Sequence, residues 1–209
     1  MKKAVRLLLL FSLLCPSLSA ADKPNIVYIM LDDAGYGDVS CYGQKNFKTP
    51  NVDALAAGGL KFTQHYSGST VCAPTRCCLM TGLHTGHAFV RGNREVKPVG
   101  QAPIPGDTVT VAKLLKKNGY RTGAFGKWGL GNPGSEGDPV NQGFDVFYGY
   151  NCQRNAHTYY PTWLYHNLEK IKLDGKTYAH DLIMAEALKF IRKNKDGPFF
   201  CFLPWTIPH

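Results

Sequence analysis

Two uninterrupted apolar runs constrain this chain more than anything else in it: "NIVYIML" at residues 25–31 and "PFFCFLPW" at residues 198–205. Each is rich in β-branched or aromatic residues and too short for a typical helix. Neither alternates apolar with polar as a half-wetted strand would: the first reads as a buried strand, and the second as a strand that, with no covering element after it, is expected to lie uncovered. Helices are read between them. "DTVTVAKLLKKNG" places Val111, Leu114 and Leu115 on one face, with Asp107 or Thr108 as a cap and Gly119 to close it. "HDLIMAEALKFIRKN" does the same with Ile183, Ala187, Phe190 and Ile191. "TPNVDALAAGG" adds a short helix from Pro50 to Gly58, "LKFTQHYSG" alternates as a strand through Tyr66, and "YRTGAFGKWG" reads as a strand entering a glycine-rich loop. Residues 131–177, rich in Gly, Pro and Tyr, read as long surface loops. Strands alternating with helices predict an α/β layered fold with a largely parallel central sheet and helices on both faces.

The first residues read as an address. Lys2, Lys3 and Arg6 form a basic start, Leu7 to Leu14 an apolar run too short for an ordinary membrane span, and Ser17 to Ala21 a small-residue stretch suited to cleavage. Residues 1–21 are therefore expected to be a signal peptide, and the protein to be exported, periplasmic or secreted. Lipid anchoring through Cys15 is disfavoured by the bulky Leu14 before it. Removing Lys2, Lys3 and Arg6 takes the formal charge from +9 to +6, because residues 1–21 contain no acid. That surplus suits an anionic substrate, and a solvated basic face explains it equally. No arginine-rich run or nucleic-acid motif accompanies it, so no nucleic-acid partner is expected. Cys41, Cys72, Cys77, Cys78, Cys152 and Cys201 remain, an even count that permits disulfides in an exported protein without requiring them.

Ligands in open α/β sheets gather at the carboxyl ends of strands. Asp32 and Asp33 directly follow the first strand, and adjacent carboxylates suit a hard cation, though a plain Asp-rich turn with Asp38 reads the same way. In "STVCAPTRCCLMTG" Pro74 favours the first turn of a helix, which puts Cys72 at or just before its N-terminus, where free N–H groups attract anions. Arg76 lies one turn later on about the same face. A disulfide, a metal ligand, a thiolate nucleophile and a modified catalytic residue all remain open for Cys72. Cys77 and Cys78 read as small core residues.

Taken together, "CAPTRCCLMTG", "PNIVYIMLDDAGYGDVSCYG", "TPNVDALAAGGLKFTQHY", "GYRTGAFGKWGLG" and "PFFCFLPWTIPH" resemble the type I, formylglycine-dependent sulfatase family of the alkaline-phosphatase-like superfamily, from Pro24 to His209. The resemblance implies that residues 22–209 are the N-terminal part of a sulfatase catalytic domain, incomplete at the C-terminus. It implies that a maturation enzyme oxidises Cys72 to formylglycine (3-oxoalanine). One hydroxyl of the hydrated aldehyde attacks sulfur, and the other helps expel sulfate. It further implies one Ca2+ held by Asp32, Asp33 and the modified Cys72, with Arg76 anchoring the hydrate. Lys127 and His209 would bind substrate, His209 also as general acid.

Many relatives carry a histidine two residues after that lysine, and this chain has Gly129. His157 is the foremost substitute, ahead of His84, His87 and His65. The family's later metal ligands and second sulfate-binding lysine have no counterpart before His209. The aromatic stretch Tyr148, Tyr150, Tyr159, Tyr160, Trp163 and Tyr165 suits either sugar stacking or loop packing, and a sulfated sugar or glycan is the expected substrate. A formylglycine-dependent phosphodiester or phosphonate hydrolase and a non-catalytic anion binder are the rival readings.

Overall fold

A computed structural model describes residues 23–209, so the signal-peptide reading of residues 1–21, Cys15 included, lies outside the described residues. Six strands form one sheet: β1 (Ile26–Asp32), β2 (Arg121–Lys127), β3 (Val146–Tyr150), β4 (Trp163–His166), β5 (Glu169–Lys172) and β6 (Phe199–Pro208). Their spatial order is β1-β6-β2-β3-β4-β5, with the first four parallel and the last two pairings antiparallel. The helices are α1 (Pro50–Gly58), α2 (Cys72–Thr81), α3 (Val111–Lys117) and α4 (Ala179–Asn194).

Alternation along β6 builds the core on two faces. Phe200 and Phe202 point to the side of α2 and α3, packing with Cys77, Met80, Ala112, Trp128, Phe144 and Phe147. Phe199, Cys201 and Leu203 point to the side of α4 and meet Ile183, Ala187, Phe190 and Phe125. Both faces of β6 are therefore covered, which corrects the expectation that this last strand lies uncovered. β1, expected to be buried, is instead exposed at Val27, Tyr28, Ile29 and Leu31, because among the described residues it pairs with β6 alone. An apolar run reports a preference for burial, but edge or centre is decided by which strands pair.

Three other expectations are corrected. Residues 60–66 form no strand and are exposed throughout; their ties run instead to the preceding turns, with Tyr42 Oη donating to Phe62 O (2.7 Å) and Lys61 Nζ to Cys41 O (3.1 Å). Alternation is a local signal, whereas a strand needs a ladder. The cap of α3 is Thr110, whose hydroxyl accepts from Lys113 N (3.2 Å), not Asp107 or Thr108, and Leu114 is exposed while Ala112 is buried. Residues 131–177 are not mainly surface loops. They contain β3 and the β4–β5 hairpin, and Phe144, Phe147, Tyr148, Tyr150 and Leu164 are buried. The described cysteines are all free, so no disulfide forms among them.

Asp145 ties α3 and β2 to the start of β3. Its carboxylate accepts from Thr122 N (3.0 Å), Thr122 Oγ1 (3.2 Å) and Lys116 Nζ (2.8 Å). Burial opposes its ionisation, but Lys116 and the Thr122 donors outweigh that and hold the carboxyl below its ordinary range. A lowered folded pKa contributes stability above the unfolded value, and this is lost as pH falls through the folded value. Asp145→Asn should thus cost roughly 1–2 kcal/mol at pH 7. The gap from wild type should begin to narrow as the pH falls below about 4 and close only below the lowered folded value. Thermal melts across pH check this, and a gap that persists in acid refutes the linkage.

Candidate active site

The carboxyl ends of β1, β2 and β6 meet the N-terminus of α2. A register break in the β1–β6 ladder between Met30 and Asp32 pairs Asp32 with Pro208, and Asp33 then turns through φ 61°. Such a break re-aims side chains beside a site. Helix α2 begins at Cys72, with Pro74 in its first turn. Val71 cannot cap it, and Asn93 Oδ1 accepts from Ala73 N instead (3.0 Å). Gly82, at φ 70°, ends the helix, its N–H reaching Cys78 O (2.8 Å). Gly126 lets β2 run tight against β6 just before Lys127: a Cβ there would lie 2.1 Å from Pro204 O.

Asp32 is the hub. Lys127 Nζ approaches its Oδ2 at 2.5 Å and Arg76 Nη2 its Oδ1 at 3.2 Å, all three side chains being buried. Burial works against the Asp32 charge, yet Arg76 and Lys127 prevail and keep the carboxyl below its ordinary range. For Arg76 burial is the larger influence and lowers its pKa against the opposing pull of Asp32 and Cys72. Arg76 also donates through Nη1 to Lys127 O, while its Nε–H is buried without a partner. Lys127 Nζ lies 3.4 Å from Cys72 Sγ. Asp32, Asp33 and Cys72 line one cleft of about 360 Å3, together with Ser69, Thr70 and Thr75.

His209 joins from the end of β6. Its Nδ1 meets Asp33 Oδ2, its carbonyl accepts from Tyr159 Oη, and its ring stacks on His157 with centroids 4.4 Å apart. Burial first, then the charges of Lys127 and His209, push the His157 pKa below its usual value. All seven site residues read from the sequence thus come together: Asp32, Asp33, Cys72, Arg76, Lys127, His157 and His209. His65, His84 and His87 do not join them; they are exposed and make no hydrogen bond to these residues, and His84 Nδ1 accepts from Gly86 N (3.0 Å).

Of the aromatic stretch, Tyr148 and Tyr150 are buried in the core beside α4, and Trp163 packs edge-on to Tyr165 beneath Lys170. Tyr159 reaches a site residue through its hydroxyl, which donates to the His209 carbonyl. Asn93 and the buried Gln153 escape sequence reading as site neighbours. Their roles depend on where distant loops meet, and no local pattern marks that.

The donor set can be tested against the groups such a site would need. Oxygens grown on residue 72 would find the Lys127 ammonium and, one helical turn away, the unpaired Arg76 Nε–H. Asp32 and Asp33 are hard oxygen donors of the class Ca2+ takes, and each carboxylate keeps acceptor capacity beyond its present partners. Among the described residues no group of three or more His, Cys, Asp or Glu converges as a metal site. The pair thus offers one side of a coordination sphere that takes about six to eight oxygens.

A family model described as Sulfatase matches residues 24–209. Human steryl-sulfatase is 43% identical over 157 residues, which are 71% of this chain and 27% of that protein. The crystal structure of Ps i-CgsB in complex with k-i-k-neocarrahexaose superposes with a TM-score of 0.76 at 33% identity, covering 90% of this chain and 46% of that one. A structure solved with its substrate D-glucosamine-2-N,6-O-disulfate superposes with a TM-score of 0.73 at 30% identity, covering 90% of this chain and 35% of that one. The chain therefore spans about a quarter to a half of the length of these relatives.

Proposed function

The chain belongs to the sulfatase family, and from that premise we propose that the protein hydrolyses a sulfate monoester on a sugar or glycan, using a formylglycine made from Cys72 and one Ca2+. The observation that carries this reading is the position of Cys72. It is the first residue of a helix, opens into the cleft, lies 3.4 Å from a buried lysine, and is followed one turn later by a buried arginine. A maturation enzyme would supply the formylglycine. Export through a leader at residues 1–21 suits that partner and a glycan substrate. A neocarrahexaose and a glucosamine disulfate bound by two structural relatives support the sugar over an unspecialised aryl ester.

A formylglycine hydrate at residue 72 would supply a nucleophilic hydroxyl and a second hydroxyl for release of sulfate, and Asp32 and Asp33 would hold Ca2+, which would supply a hard Lewis acid. The chain's own residues do the rest. Lys127 places a fixed positive charge where negative charge grows on the sulfuryl oxygens, in a site too buried for water to screen it. Arg76, locked by Asp32 and the Lys127 carbonyl, holds a fixed positive charge one helical turn from residue 72. Asp33 accepts from His209 Nδ1, and stacking on His157 fixes the ring plane. Nε2 is then left to carry a proton to the departing alcohol oxygen.

His209→Ala should therefore penalise alkyl or sugar sulfates, whose leaving oxygens need that proton, by about a hundredfold. It should spare an activated aryl sulfate by comparison. Equal losses on both substrate classes would remove His209 from the acid role. The function itself is tested on the whole protein, matured in an exporting host, by the mass of the residue-72 peptide and by comparing release from sulfated sugars and phosphodiesters. An unmodified Cys72, or faster diester turnover, refutes the reading.

A further inference from the structure

Gln153 is 4% exposed, yet neither atom of its amide has a hydrogen-bond partner. It lies in the turn that leaves β3, where Ala156 N donates to Cys152 O (3.2 Å) and Arg154 pairs with Glu95 (2.6 Å). Four residues on, the same segment delivers His157 to the His209 ring. Beside it runs the loop that leaves β2: Trp128 N donates to Tyr150 O (2.8 Å) and Gly129 N to Asn151 O (3.2 Å). Gly129, two residues beyond Lys127, adopts φ 80°, and a Cβ built there would lie 1.7 Å from Gln153 Nε2. The Gln153 amide thus fills the volume that any side chain at residue 129 would occupy.

A buried amide left unpaired is costly, and native structures rarely tolerate it without a bound group. The amide lies over Gly129, in the loop that follows Lys127, and its own segment carries His157 to His209, so the partner its Nε2 lacks is an acceptor at the carboxyl ends of the strands. An oxygen of a tetrahedral oxyanion is such an acceptor. Resting on the sulfatase reading above, we propose that Gln153 is a sulfate-binding residue, its Nε2 donating to an oxygen of the sulfate group from the place a residue-129 side chain would hold. An amide cannot take up a proton, so its contribution is to binding and not to acid–base chemistry.

The test is calorimetric titration of the whole protein with inorganic sulfate, beside thermal melts, for wild type and Gln153→Met, which keeps the length without the polar groups. The expected result is a roughly tenfold to hundredfold rise in the sulfate Kd, with Tm unchanged or raised because the unpaired amide is gone. Wild-type affinity in the methionine variant makes Gln153 a space filler and overturns the assignment. Should that variant fail to fold, Gln153→Glu preserves the size while replacing the donor by a carboxylate. It must also bind sulfate at least about tenfold more weakly, and wild-type affinity there overturns the assignment equally. A wild type that binds sulfate but hydrolyses no sulfate ester refutes the proposed function and leaves this comparison intact. One that does not bind sulfate refutes both.

Discussion

Replacing Cys72 by alanine is expected to lower sulfate-ester turnover by on the order of 10^4-fold or more while leaving the fold in place. The two halves of that expectation have separate origins. Cys72 is only half-buried, and its sulfur makes one contact of hydrogen-bond type, to Lys127 Nζ. The packing of α2 comes from Ala73, Cys77, Cys78 and Met80, which alanine at residue 72 does not disturb. Alanine is also a better helix former than cysteine, so Tm should move by less than about 3 °C. The chemistry has no such reserve, because nothing else on the first turn of α2 can be converted to an aldehyde. Cys72→Ser adds a second arm: the hydroxyl stands at the same place but cannot become formylglycine where the maturation enzyme requires a thiol. That protein should show no multiple turnover. Cys77→Ala is the counterpart, a fully buried residue whose truncation should lower Tm and leave the nucleophile untouched. Circular dichroism, sulfate release and the mass of the residue-72 peptide decide the matter. Wild-type turnover from Cys72→Ala removes the residue from the reaction.

What could be read from the sequence was whatever carries its own local signal. α4 was legible because a 3.6-residue stripe records how its face is covered, and β6 was legible as a strand from its apolar run, though not in how it is covered. α2 was legible because Pro74 marks its first turn. Asp32 was legible as a strand-end residue because in a parallel sheet the carboxyl ends converge, whereas Lys127 and His209 were named only through the family resemblance. The hairpin of β4 and β5 was missed although Asn167, at φ 53° between His166 and Leu168, is a turn signal. Its strands are four residues each, too short for alternation to show. The exposure of β1 and the irregular path of residues 60–66 were illegible in a different way, since both depend on which strand lies alongside. The same holds for Gln153. A glutamine in a polar stretch gives no hint that its amide will lie over Gly129, because that depends on two turns leaving adjacent strands in step.

The hub of the site should also be the weakest point of the metal-free fold. Asp32→Asn is expected to destabilise the metal-free protein by about 3–5 kcal/mol, the usual consequence of removing one partner from a buried ion cluster. Among the described residues Asp32 is the only carboxylate bonded to both Arg76 and Lys127, and those two side chains are 1% and 0% exposed. An asparagine there leaves two cations facing each other in a buried space, with one acceptor oxygen where there were two. Asp33 sets the contrast. Its side chain is 57% exposed and its partner is His209, so Asp33→Asn should cost less than about 1 kcal/mol. Yet both variants remove a charged oxygen from the same cleft, and both should weaken Ca2+ binding. Stability and metal affinity therefore separate: the two substitutions agree in calcium titration and disagree in the melt without calcium. Lys127→Met added to Asp32→Asn should restore part of the lost stability, because it removes one of the stranded charges, and should restore no calcium binding. If Asp32→Asn and Asp33→Asn melt alike without calcium, the charge cluster does not hold the strand ends together. If calcium affinity survives in both, the two aspartates form a turn and not a metal site.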